Sequence, residues 1–165
     1  MANYSVSNLG AASPAQANMT TSYNTLIETH AVTTPRRLAW YEFEFGIDAA
    51  PGSTDCSISW DISRTTAAGT AGSAATPNPL DPADGAAATV AGINHPNGTP
   101  PTYTASSNLW SLGANQRASY RWIARDDKSA LWVPATNNAG LGLRAKQASA
   151  AYASTVVATV YFQEQ

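Results

Sequence analysis

The sequence predicts an all-β chain: a two-sheet antiparallel sandwich, jelly-roll-like, preceded by an extended N-terminal arm. Period-two alternation of apolar and polar residues recurs along most of its 165 residues, the mark of half-buried strands. Turn signals such as Pro51-Gly52-Ser53, Asp126-Asp127-Lys128 and Asn137-Asn138-Ala139-Gly140 cut it into roughly eight to ten short strands, the number of a sandwich or jelly roll. No segment combines helical periodicity with a cap at each end. Residues 83–90 are the best candidate for even a short helical turn.

Residues 1–21 are small and polar with isolated apolar side chains, and read as an extended arm rather than core. A single domain over 22–165 follows. Residues 22–33 are strand-like and stop at Thr34-Pro35. Residues 38–45 alternate strongly: Leu38, Trp40, Glu42 and Glu44 share one face, and Ala39, Tyr41, Phe43 and Phe45 the other. The second set is apolar throughout and is the expected core face. Next, Cys56, Ile58, Trp60 and Ile62 alternate with Asp55, Ser57, Ser59, Asp61 and Ser63, a strand with one wet face. Residues 66–104, dense in Gly, Ala, Pro and Asn, read as a long irregular insertion, with short strands near 70–75 and 102–105. Close-spaced strands return at 117–125, 130–133, 141–148 and 154–163. In the last, Val156, Ala158, Val160 and Phe162 oppose Val157, Thr159, Tyr161 and Gln163.

Only 12% of the residues are charged, about half the usual share. The surface is therefore clothed in Thr, Ser, Asn, Gln, Ala and Gly, the habit of extracellular β-modules and of subunits inside assemblies. A net charge of -2 with two lysines, Lys128 and Lys146, argues against nucleic acid as a partner. No apolar run is long enough to span a bilayer, so no membrane is expected. Residues 1–5 lack the basic-then-apolar pattern of a Sec signal, and the sequons at Asn3, Asn18 and Asn97 carry little weight. Cys56 is the single cysteine; it lies in an apolar set and reads as buried and inert.

The motifs that suggest chemistry have plainer readings. Gly140-Leu141-Gly142-Leu143-Arg144-Ala145 matches G-x-G-x-x-A, but a dinucleotide fingerprint must join a strand to a helix. Here the glycines ease a strand or bulge. Asp81, Asp84 and Gly85 lack the ligand spacing and closing Glu of a calcium loop and read as turn formers. His30 and His95 are remote in sequence, and His95 reads as exposed. Glu42 and Glu44 read as a solvated strand face rather than a glycosidase pair. Tyr103, Trp110, Tyr120, Trp122 and Trp132 read as core or interface rather than a sugar platform. No catalytic residue, cofactor or metal site is predicted, and the chain is not expected to be an enzyme.

Several stretches stand in order: Arg36-Arg37-Leu38, Trp60-Asp61-Ile62-Ser63-Arg64-Thr65 and Thr76-Pro77-Asn78-Pro79-Leu80-Asp81-Pro82-Ala83-Asp84. Asn115-Gln116-Arg117, Tyr120-Arg121-Trp122, Val133-Pro134-Ala135-Thr136, Gly140-Leu141-Gly142-Leu143-Arg144 and Thr159-Val160-Tyr161-Phe162-Gln163-Glu164 follow. The series, spanning about residues 35–164, resembles small virion structural proteins of tailed bacteriophages. The resemblance implies a jelly-roll-like sandwich and a role as a capsid decoration (cement) protein on the exterior of the virion. It implies the major capsid protein as partner and a homotrimer matching three-fold sites. It carries over no catalytic residue. Tyr4, Leu9 and Met19 in the arm are the candidate capsid or subunit contacts. The alternative is a tail or fibre component that binds host glycan.

Overall fold

The computed structural model describes residues 1–9, 18–32, 36–71, 73–95, 98–149 and 155–165. Among them are twelve strands and no α-helix: β1 (Ala2–Ser7), β2 (Asn24–His30), β3 (Leu38–Ile47), β4 (Ser57–Ala67), β5 (Ser73–Ala75), β6 (Asn78–Pro79), β7 (Val90–Ile93), β8 (Thr102–Asn115), β9 (Tyr120–Ile123), β10 (Leu131–Val133), β11 (Gly140–Gln147) and β12 (Val156–Glu164). Sheet A runs β10-β3-β12-β1-β6, with β9 also on β3, and sheet B runs β5-β7-β2-β11-β4-β8. Every pairing is antiparallel. Setting aside β5, β6 and β7, the eight principal strands interleave as 1-8-3-6 and 2-7-4-5, with β9 and β10 sharing the sixth place. That is the order of a jelly roll, two Greek keys wrapped into a sandwich.

The core lies between the sheets. Trp40, Phe43, Phe45, Val160 and Phe162 of sheet A meet Ile27, Ile58, Trp60, Ile62, Leu141 and Leu143 of sheet B. Phe45 stacks on Trp60 with ring centroids 3.8 Å apart. The core faces expected of β4 and β12 hold: Ile58, Trp60 and Ile62, and Val156, Ala158, Val160 and Phe162, are all buried, but the expected wet face of β4 is covered at Asp61 and Ser63, which are buried as well. Cys56 is buried too.

In β3 the alternation breaks. Tyr161 opposes Glu42 but Phe162 opposes Trp40, so Tyr41 is an extra residue in a β-bulge. A bulge shifts the pleat by one residue, so Leu38 and Trp40 on one side and Phe43 and Phe45 on the other all turn inward. Leu38 and Trp40 are therefore core residues, not partners of Glu42 and Glu44 on an outer face. Trp40 Nε1–H donates to Thr29 Oγ1 of sheet B at 2.8 Å. The displaced Tyr41 carbonyl accepts from Ala124 N–H at 2.8 Å.

The start of the expected arm is a strand. β1 lies between β12 and β6, with Tyr4 stacked on Phe162 at 5.5 Å and its hydroxyl donating to the Gly85 carbonyl. Just past it, Asn8 Nδ2 donates to the Val156 carbonyl, and Asn8 Oδ1 accepts from Ala158 N–H, each at 2.8 Å. Asn94, after β7, donates to the Asn8 carbonyl at 2.9 Å and so clasps the two sheets. The middle of the arm (10–17), the Thr34-Pro35 stop and the sequon at Asn97 lie outside the described residues. The segment 66–104 is less irregular than its composition suggests, since β5 and β7 extend sheet B and β6 extends sheet A. Residues 83–90 form no helix; β7 begins at Val90.

The bulge separates two substitutions that simple alternation would treat alike. Trp40→Ala should cost about 3–5 kcal/mol of unfolding free energy. Glu42→Ala, losing an exposed ion pair, should cost under about 1 kcal/mol. Equal costs in urea titrations would contradict the bulge.

Candidate functional site

Three regions place functional side chains together: the covered outer face of sheet B, the open outer face of sheet A, and the sandwich edge formed by β8 and β9.

On β2, Ile27 and Thr29 turn into the core, so Glu28 and His30 turn outward, where His95 and Gly69 meet Glu28. There Glu28 Oε2 accepts from Gly69 N–H at 3.2 Å. His95 Nε2 lies 3.3 Å from Glu28 Oε2, and His30 Nδ1 lies 3.4 Å from Oε1. His95 is fully buried rather than exposed, its Nδ1 3.2 Å from the Thr99 carbonyl. Its ring lies against Gly92, where any Cβ would come within 2.9 Å of Nε2. The sequence offered no sign that His30 and His95 share one carboxylate. Glu28 Oε1, His30 Nδ1 and His95 Nε2 have no well-oriented hydrogen bond. Among the described residues no group of His, Cys, Asp and Glu is arranged to hold a metal ion. Glu28 and His95 are sealed from solvent, and the cluster fastens Gly69 and His95 to sheet B.

Beside it, Arg144 Nε donates to Asp61 Oδ1 at 2.7 Å. The guanidinium lies 4.2 Å from the centre of the Tyr103 ring and 4.6 Å from that of Tyr23, a cation between two π faces. Ser63 donates to Asp61 at 2.7 Å, and Asn108 Nδ2 also reaches its carboxylate. The Tyr103 hydroxyl meets Thr25 Oγ1 at 2.8 Å, and burial pushes its ionisation far above the ordinary phenol range. A Cβ at residue 142 would lie 2.3 Å from that hydroxyl. The second glycine of the apparent fingerprint thus makes room for a tyrosine ring in a strand, not for a pyrophosphate.

The outer face of sheet A holds an open groove of about 600 Å³, lined in part by Glu44, Gly46, Arg117, Ser119, Arg121 and Thr159. Arg121 grips Glu42 through Nε and Nη2, each 2.6 Å from Oε1. Glu44 accepts from the Tyr161 hydroxyl at 3.4 Å. Burial, then the nearby Glu44 and Glu42, raise the Tyr161 phenol above its usual range. The two carboxylates sit two residues apart on one strand face instead of facing each other across a cleft.

The five aromatics singled out in the sequence do not share a surface. Trp110, Tyr120 and Trp122 pack at the β8/β9 edge on Phe43 and Phe45. Tyr103 covers sheet B, and Trp132 lies under Arg37 at 4.4 Å. Asp81 caps its own turn by accepting from Ala83 N–H at 2.9 Å. Of the candidate contacts, Tyr4 and Met19 are buried in the chain's own core, and Leu9 is 40% exposed.

Comparison with protein-family models, with curated proteins and with solved structures finds no match. The chain thus presents two buried polar clusters, one polar groove, and one edge strand, β8, without a charged residue.

Arg144→Ala should leave Asp61 buried without its cation and cost about 3 kcal/mol in denaturant unfolding. Arg144→Lys should recover only part of that, because an ammonium cannot lie flat between two rings. Tyr103 is also held protonated in the fold. Its contribution is complete below the unfolded phenol value of 10.0 and is lost as pH rises through the folded value. Stability should therefore fall above pH 10.0, and Tyr103→Phe should flatten that fall; an unchanged slope would contradict it.

Proposed function

We propose that this chain is a non-catalytic structural protein of a phage particle, binding the capsid exterior and stabilising the assembled shell. The observation that carries the reading is the ordered motif series resembling small virion proteins. In the fold, those motifs occupy framework positions: β4, β9, β11 and β12 carry four of them. Two motifs also meet in space, since Asp61 of one forms the buried ion pair with Arg144 of another. The interleaved jelly-roll order and the low charge agree with a subunit tiled against neighbours.

The physical mechanism needs no chemistry. A protein that touches several capsid subunits at once gains affinity from the effective concentration of each further contact. If it binds only the assembled shell, it stabilises that state by linkage. The major capsid protein is the proposed partner. The groove on sheet A favours a second reading, a tail or fibre component whose Glu44, Arg121, Ser119 and Thr159 engage host glycan.

Mixing the purified chain with mature capsids and with unexpanded procapsids separates the two readings. Co-sedimentation with mature capsids, with a raised capsid melting temperature, is the expected result. Failure to sediment with either particle, together with antibody labelling of the tail and binding to host polysaccharide, would replace the capsid reading with the glycan one.

A further inference from the structure

β8 is the outermost strand of sheet B and pairs, among the described residues, only with β4. It runs from Thr102 to Asn115 without a charged residue or a proline. Natural edge strands of this length are normally blunted by charge, proline, bulges or a cover. In β8 the register irregularities lie in the first half. From Trp110 to Asn115 the pairing with β4 is regular, leaving six consecutive residues as a straight, neutral edge. Their inward side chains Trp110, Leu112 and Ala114 are only half-buried. Tyr120 and Trp122 of β9 are half-buried beside them.

We propose that this edge joins two copies of the chain, β8 pairing antiparallel with β8 of a second copy across a two-fold axis at Leu112. The strand is self-complementary about that residue. Leu112 meets Leu112 of the other copy. Trp110 comes opposite Ala114, a large side chain against a small one, and exposed Ser111 comes opposite Gly113. No like charges are brought together, which is the usual penalty when an edge strand pairs with itself. The two sheets B merge into one continuous sheet, and the contact is isologous and closed. It covers Trp110 and Leu112, which the single chain leaves half-open. The regular stretch is about 20 Å long at ~3.4 Å per residue. That places the contact at the small end of specific interfaces, so the dimer dissociates on dilution.

This inference stands independently of the capsid reading, and the trimer that the resemblance implies is one of the results that would overturn it. The test is sedimentation equilibrium of the full chain over a wide concentration range, with folding checked by thermal unfolding. The parent should show a reversible monomer–dimer equilibrium. In Ser111→Lys/Gly113→Lys, each lysine at 111 faces a lysine at 113 of the other copy, and the dissociation constant should rise at least about tenfold. Both positions are exposed, and a Cβ at 113 finds only Ser57 Oγ, at 3.9 Å. Ser111→Lys/Gly113→Glu places opposite charges across the same axis and should restore the dimer. A trimer, a monomer at every concentration, or a dimer indifferent to the two charge patterns would each overturn the proposal. If the double-lysine variant fails to fold, Ser111→Glu/Gly113→Glu places like charges across the same axis and should lose the dimer that the opposite-charge variant keeps; a dimer retained in both would overturn the proposal.

Discussion

The extra residue at Tyr41 sets the geometry on which sheet A depends. Without it, a strand carrying Trp40, Glu42 and Glu44 on one face would have to bury acids or expose a tryptophan. With it, β3 buries apolar side chains on both sides of the bulge. The same residue divides the neighbouring edge. β10 pairs with Leu38, Ala39 and Trp40 before the bulge, and β9 pairs with Glu42 to Phe45 after it. The sixth strand of the jelly roll is split because its partner is. The interruption costs no unpaired carbonyl at Tyr41, since Ala124 N–H takes it. On the far side, the pleat is now set so that Glu42 meets Arg121 and Glu44 lines the groove.

A chain with few charges uses several of them inside. Glu28, Asp61 and Glu164 are buried, and each is tied to a segment that would otherwise be held weakly. Glu164 accepts from Thr89 N–H at 2.6 Å and Ala88 N–H at 3.2 Å, with Arg36 at 3.6 Å. Glu28 holds Gly69 and His95, and Asp61 holds Arg144, Ser63 and Asn108. Buried carboxylates are tolerable only where donors meet them, and here they come from the 66–104 segment (Gly69, Ala88, Thr89, His95), from neighbouring strands (Arg144, Asn108), from β4 itself (Ser63) and from Arg36. A segment rich in Gly, Ala and Pro has little apolar surface to bury. Polar anchoring therefore substitutes for packing, and the solvent-facing surface is less charged than the composition alone suggests.

How much of this was legible in the sequence depends on whether a strand obeys period two from end to end. β12 does, and the core faces of β4 and β12 can both be read directly, although Asp61 and Ser63 on the expected wet face of β4 are covered. β3 does not, because a one-residue insertion leaves no trace in the spacing of its apolar residues. β1 was hidden for another reason. Tyr4 and Val6 are the only large apolar residues of a polar hexapeptide, and its burial comes from β12, β6 and the turn at Gly85, more than seventy residues away in the chain. The Glu28–His95 contact was invisible in the same way. Gly142 was readable as a strand glycine, though not the tyrosine ring for which it leaves room. Motif logic succeeded where it asked for context: the glycines of Gly140-Leu141-Gly142 lie in strand β11 rather than in a strand-to-helix turn.

The sheet edges show how low charge becomes a structural constraint. β5 and β6 are three and two residues long, too short to template a partner strand. β9 and β10 break the other edge of sheet A into short pieces, and β9 carries Arg121. Among the described edge strands only β8 is both long and neutral. Charged gatekeepers are the cheapest edge protection in free soluble β-proteins, and a chain with 12% charged residues has few to place there. Three of its acids are already committed to the interior. The same scarcity thus leaves β8 from Trp110 to Asn115 without a charge, proline or register shift to protect it. An edge of that kind is stable in solution to the extent that another strand occupies it.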